Sequence, residues 1–342
     1  MKASYYNCDK TFTMGACAPV EPTTGDVRIN VAYCGLCGTD LHVYHGHMDA
    51  RVGCERIIGH EMSGTVEAVA GDVSGLSVGD KVVVRPLDPC NDCPACHNGN
   101  SHICQNLKFL GLDTDGALQQ NWTVPAHTVH KLPSDMSLKH AALVEPAAVA
   151  CHDVNRSRLV AGEDVLVIGG GPIGMLIAMV AKKRGGNVYI SEINDQRLEI
   201  AESLGFNTIN PVNTNVGEYM YEITGNKGAD VIFEVSGSQS GVDCMTAAAA
   251  ARARIVMVAI HAEKPKIDLF QFFWREIELL GARVYTADDF DTAIEMIASG
   301  AIDCDTVITN VQNLDQVGEV LADLSGNPSA LKSLIQVGSE VA

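Results

Sequence analysis

Basic residues are scarce in this 342-residue chain: 24 Lys and Arg stand against 42 Asp and Glu, a formal charge of −18. So acidic a surface repels phosphate backbones and anionic headgroups, which excludes nucleic acid and membrane as expected partners. It does not choose a substrate, because a few local basic groups can still receive an acid. An apolar run of transmembrane length is also missing, and the opening MKASYYNCDK lacks the basic-then-apolar layout of a signal peptide. The expectation is a cytoplasmic protein whose twelve cysteines are reduced or metal-bound, with no disulfide framework. Long linkers, repeats and low-complexity segments are absent as well, so two closely packed domains are expected from the length.

What is present falls into two textures. Residues 1 to about 150 are rich in Gly, Pro, Cys and His, with short apolar runs at Val27–Ala32, Gly64–Val69 and Lys81–Val84. These read as an antiparallel sheet punctuated by turns. From about Gly162 short apolar strands alternate with helix-length segments: VLVIG (165–169), a helix from Pro172, NVYIS (187–191), a helix from Asp195, VIFEV (231–235), the alanine-rich Cys244–Ala251, and IVMVAI (255–260). That alternation marks βαβ units around a parallel sheet. From about Asp288 a further helix and two strand-like pieces follow.

Cys90, Cys93, Cys96 and Cys104 lie within fifteen residues, in CNDCPACHNGNSHIC. Thiolates so spaced on a turn-rich loop can converge on one tetrahedral ion, and four sulfur ligands leave no open position. The site is therefore structural. Four free buried thiols and an iron–sulfur cluster are the competing readings of the same density.

Gly169, Gly171 and Gly174 form G-x-G-x-x-G, with Pro172 and Ile173 between the last two. The motif follows a strand and opens a helix, where a dinucleotide pyrophosphate meets free N–H groups. Glu192 stands eighteen residues past the third glycine, at the end of the next strand. An acid there accepts from both ribose hydroxyls and repels a 2′-phosphate, favouring NAD over NADP. Arg197 is expected to pack over the adenine or to pair with an acid.

A second metal constellation lies outside the cysteine loop. Cys37 in YCGLCGTDLH, His60 and Glu61 in RIIGHEMSG, and Glu145 in LVEPAAVA offer a thiolate, an imidazole and carboxylates. Such a set leaves a position open for water or substrate, as catalytic zinc requires. The remaining histidines, His45 and His47 among them, read as loop or surface residues. Cys34, Cys8 and Cys17 read as strand core, and Cys54 has no evident partner.

In this order CGLCGTDLH, GHEMSG, the four-cysteine loop and VLVIGGGPIG resemble the zinc-dependent medium-chain alcohol dehydrogenases over nearly the whole chain. Glu61 directly after His60, with the Glu–Pro pair at Glu145, is most similar to the polyol and sugar-acid branch of sorbitol, idonate and galactonate dehydrogenases. The resemblance implies an α/β protein: a GroES-like, β-rich catalytic domain over 1–149 and 287–342, and a Rossmann doubly wound parallel sheet binding NAD over 150–286. It implies two zinc ions per subunit, the catalytic one on Cys37, His60, Glu61 and water, with Glu145 able to approach or exchange with the water. It places Thr39 and His42 in a proton relay, although Thr39 also reads as a helix cap, and it implies a homo-oligomer, tetramer or dimer.

The reaction so implied oxidises a secondary hydroxyl of a polyol or sugar acid to a ketone, with zinc as Lewis acid and hydride passing to NAD. Tyr44, Arg283 and Tyr285 are the expected substrate contacts. Sorbitol dehydrogenases carry an Arg–Tyr pair on the segment matching GARVYT; here Val284 separates Arg283 from Tyr285, which is more like the sugar-acid enzymes. L-Threonine or diol oxidation is the alternative, and a non-catalytic NAD-binding protein a third reading.

Overall fold

The computed structural model describes residues 1–326 and 330–338. The chain divides into two compact units, Met1–Glu145 with Thr286–Ala342, and Pro146–Tyr285. The division expected at 149/150 falls inside one helix, Val144–Ser157, whose first turn carries Glu145.

The first unit is built on a seven-stranded sheet. Its order is Ile308–Asn313, Lys332–Gln336, Asp26–Leu36, Glu61–Val69, Lys81–Val84 and Val129–Lys131, with Asn121–Pro125 also pairing to Asp26–Leu36. The pairing is antiparallel except between the two C-terminal strands, which run parallel. The expected antiparallel sheet thus gains a parallel edge from the far end of the chain. Asp26–Leu36 is the central strand, and its last six residues are all buried. Its register sets Gly35 opposite Glu61 and Leu36 opposite Ser333. The apolar core under this sheet draws on Val27, Ile29, Val31, Met62, Val82, Leu118, Trp122 and Ile335.

The second unit is a six-stranded, wholly parallel sheet in the order Asn207–Ile209, Asn187–Ser191, Asp164–Ile168, Ala229–Glu234, Ala249–Met257 and Glu278–Gly281. The chain moves outward over the first three strands and returns beside the starting one, so a switch point lies between Asp164–Ile168 and Ala229–Glu234. The helix Pro172–Lys183 buries every residue from Gly174 to Ala181, the composition of a helix laid on a sheet. The strand Ala249–Met257 takes up the end of the alanine run, because those small residues pair with Ala229–Glu234 rather than prolonging the helix Gln239–Ala248.

One expectation about the cysteines is overturned. Cys8 is disulfide-bonded to Cys54, 46 residues away. Cys8 is not strand core: with Asp9 and Lys10 it forms a left-handed turn of three successive positive-φ residues between strands Lys2–Tyr6 and Phe12–Ala16. The same edge is held by Tyr6, whose hydroxyl donates to Asp49 at 2.7 Å and whose backbone pairs with Arg56. Sequence spacing gives no sign of the pair, since the two cysteines meet only once the hairpin docks on the loop after Val52. Among the described residues no helix is long and apolar enough to cross a membrane.

The cross-link closes a loop that ranks among the more effective for restricting an unfolded chain, with a stabilisation of about 2–4 kcal/mol. Cys8→Ser is expected to lower the denaturation midpoint of the oxidised protein and to match wild type once a reductant is present; equal midpoints without reductant would show the bond does not form.

Candidate active site and metal centres

The cysteine loop forms a closed cage. The sulfurs of Cys93 and Cys96 lie 3.5 Å apart, Cys93 and Cys104 3.8 Å, and Cys90 and Cys104 3.4 Å. Four sulfurs about 2.3 Å from one tetrahedral zinc would stand about 3.8 Å from each other, so the donor set fits that ion. Backbone N–H groups of Cys90 and Asn106 point at Cys104, and that of Gln105 points at Cys93. Donation from the backbone N–H groups of Gln105 and Cys96 lowers the Cys93 thiol below its ordinary value, favouring the thiolate a metal binds.

The second centre is assembled by two ends of neighbouring strands. Cys37 follows Asp26–Leu36 and caps the helix Gly38–Tyr44, its sulfur accepting from the Thr39 N–H at 3.2 Å. Asp40 completes the cap by accepting from the Cys37 N–H at 2.9 Å. Glu61 opens the adjoining strand Glu61–Val69, with His60 immediately before it. Cys37 Sγ and His60 Nε2 stand 3.3 Å apart, and the donor atoms of Cys37, His60 and Glu61 all lie within 4.8 Å of one another. Three donors of mixed type leave the fourth tetrahedral position open, the condition for a catalytic zinc.

Behind these donors lies a shell the sequence did not disclose. Asp40, fully buried, places Oδ1 3.9 Å from His60 Nδ1, on the side of the ring away from Cys37. Lys332, 2% exposed, pairs with Glu61, which is equally buried. Burial works against the Lys332 charge, but Glu61, Cys37 and Glu145 together outweigh it and raise its pKa. Burial, with Asp40 and Glu61 as like charges, pushes the Cys37 thiol well above its ordinary value. Burial, Asp40 and Glu61 thus hold Cys37 protonated against the opposing pull of Lys332, and a divalent ion at the three donors would favour the thiolate. A lysine in the apolar strand KSLIQ, and an Asp three residues after Cys37, were the available signals for the two residues.

Glycine at position 35 is what lets the pair form. A β-carbon there would collide with Glu61 Oε2 and sit 3.1 Å from Lys332 Cε. Glu145, 7% exposed, does not join the three converging donors; it acts on Lys332 through its charge. Thr39 is half-buried at the helix start, and His42 lies in the last turn with its Nδ1 3.4 Å from Nδ1 of His47. Tyr44 ends the same helix, half-buried. Arg283 is exposed, whereas Tyr285 is fully buried, so the two expected substrate contacts do not share an environment.

In the nucleotide unit, Gly169 takes φ +103 at the end of Asp164–Ile168, and Gly174 leaves no room for a side chain against the Gly169 carbonyl. Gly171 caps the helix and Pro172 and Ile173 fill its first turn. Glu192, buried, accepts from the N–H groups of Gly170 (2.8 Å), Ile193 (2.7 Å) and Asn194 (2.9 Å). Arg197 Nη1 stands 3.7 Å from its Oε2, the pairing with an acid that was one of the two expectations. The strand end, the glycine loop and the acid are therefore locked into one cradle with a negative charge at its rim.

The description of the alcohol dehydrogenase GroES-like domain matches residues 23–134, and that of the zinc-binding dehydrogenases matches residues 172–299. The 2-dehydro-3-deoxy-L-galactonate 5-dehydrogenase of Pseudoalteromonas atlantica is 54% identical over 340 residues, 99% of this chain and 100% of that one. The L-threonine 3-dehydrogenase of Pyrococcus abyssi is 33% identical over 85% of both chains. The structure of 2R,3R-butanediol dehydrogenase from Bacillus subtilis matches with a TM-score of 0.91 at 30% identity, covering 98% of this chain and 99% of that one.

Gly35→Ala should expel Glu61 from its seat beside Lys332 while leaving the cysteine cage intact. Elemental analysis is expected to fall from about two zinc ions per subunit to about one; two retained ions would show that Glu61 is not needed to hold the metal.

Proposed function

We propose, for a chain that belongs to the zinc-binding dehydrogenases with a GroES-like alcohol dehydrogenase domain, that it oxidises a secondary hydroxyl of a sugar acid to a ketone with NAD as hydride acceptor. The observation that carries the substrate class is end-to-end similarity to the galactonate-derivative dehydrogenase, well above that to the threonine enzyme. Cys37, His60 and Glu61 would hold the zinc, which would supply Lewis acidity at the substrate oxygen, and the glycine loop would hold the NAD that would take up the hydride.

The protein's own groups handle the proton and the orientation. Thr39 receives the hydroxyl proton and His42 releases it to solvent, the acid–base task an imidazole most often performs. Asp40 Oδ1 stands 3.9 Å from His60 Nδ1, beyond hydrogen-bond reach, so it bears on the ring as a nearby buried carboxylate. Arg283 is the guanidinium assigned to the substrate carboxylate, where a planar fork gives direction as well as charge. Glu192 selects NAD over NADP by repelling a 2′-phosphate.

The same reading includes a cytoplasmic, homo-oligomeric protein, dimer or tetramer. In its support, the helix Leu269–Arg275 exposes Leu269, Phe270, Phe273 and Trp274 by 60–76%, an apolar cluster of the kind that self-association covers.

The deciding experiment is a panel of sugar acids, polyols, L-threonine and simple diols, scored by NADH formation with and without a chelator. A sugar acid is expected to give the highest kcat/KM, and turnover of threonine or butanediol above all sugar acids would overturn the assignment. Thr39→Val should cost about a hundredfold or more in turnover with the zinc content unchanged; normal turnover removes Thr39 from the relay.

A further inference from the structure

The helix Gly38–Tyr44 ends in a turn that brings two histidines together. The Gly46 N–H donates to Val43 O at 2.8 Å and the His47 N–H to His42 O at 3.0 Å, while Gly46 itself takes φ +78. This is the paired 5→2 and 6→1 closure of a Schellman motif, whose geometry carries the side chain after the glycine back onto the one three places before the cap. That contact is ordinarily apolar. Here both members are imidazoles, and their Nδ1 atoms face each other at 3.4 Å.

Two imidazole nitrogens, each 2.0–2.1 Å from one tetrahedral zinc, lie about 3.3–3.4 Å apart. The two rings already stand at that separation, and carbonyls at a helix C-terminus favour a cation beside them. A third imidazole is close: the His45 ring centroid is 5.9 Å from that of His47, with its Nε2 3.1 Å from Ser325 Oγ. We propose that His42 and His47 form a third divalent-cation site, of the zinc class, separate from both cysteine-containing centres. An ion there takes the lone pair with which His42 would accept a proton, so free zinc inhibits the enzyme; this consequence rests on the relay role given to His42 above.

The test starts from holoenzyme carrying two zinc ions per subunit, equilibrated with micromolar zinc and assayed for both metal content and turnover. Wild type should bind a third ion and lose activity as it does so. His47→Gln should keep basal turnover, weaken the third ion by about tenfold or more, at least the worth of a single outer-shell partner, and resist inhibition. Gly46→Ala, which keeps both ligands but disfavours the turn, should weaken the ion as well. A plain imidazole–imidazole hydrogen bond gives the same 3.4 Å, and in that case no third ion binds, which overturns the site. Equal third-ion binding by His47→Gln overturns it too. A third ion lost in His47→Gln but without effect on wild-type turnover upholds the site and refutes the relay instead.

Discussion

The Glu61 carboxylate and the Lys332 ammonium meet in a place with almost no access to water, and the arrangement of the metal donors follows from that pair. Neither charge is tolerable alone, since leaving one of a buried pair uncompensated costs about 3–5 kcal/mol. The pair ties three strands into one register: Glu61 opposite Gly35, Leu36 opposite Ser333, and Lys332 immediately before it. A slip of one residue would turn every side chain to the other face and part the charges. Cys37 follows Leu36, and His60 precedes Glu61, so fixing this register also fixes the thiolate and the imidazole.

The two cysteine-containing centres show how the same element can be asked for different things. In the loop, local turns supply all four ligands, and the site closes without reference to the rest of the unit. In the other centre, ligands come from two strand ends, and acids and an ammonium behind them set the charge an ion must balance. The first needs only spacing; the second needs the sheet. This is why one centre serves as a brace and the other keeps a position free for chemistry.

That contrast also explains what was legible in the sequence. The cysteine cage, the glycine loop and Glu192 are encoded over short spans, where spacing dictates geometry, and they stand where the sequence put them. Cys37, His60 and Glu61 were legible through their motifs, each next to an apolar strand. Lys332, the Cys8–Cys54 bond and the His42–His47 contact were not, because each depends on which distant or turning segments pack together. Asp40 was in plain view yet read only as part of a motif; its role appears when it caps the helix and faces His60 at once. The alanine run near 249 was ambiguous for a simpler reason, since small residues carry little period and tertiary pairing decides their state.

Lys332 reaches Glu61 from a strand about 270 residues further along the chain, which pairs with the central one. Ribosomes deliver the N-terminal donors first, at about 5–20 residues per second, so during synthesis Cys37, His60 and Glu61 exist for a time without their counter-charge. In chain order the donors therefore precede their counter-charge by most of the length described, and a molecule that stopped short of Lys332 would carry the ligands without the ammonium that opposes Glu61.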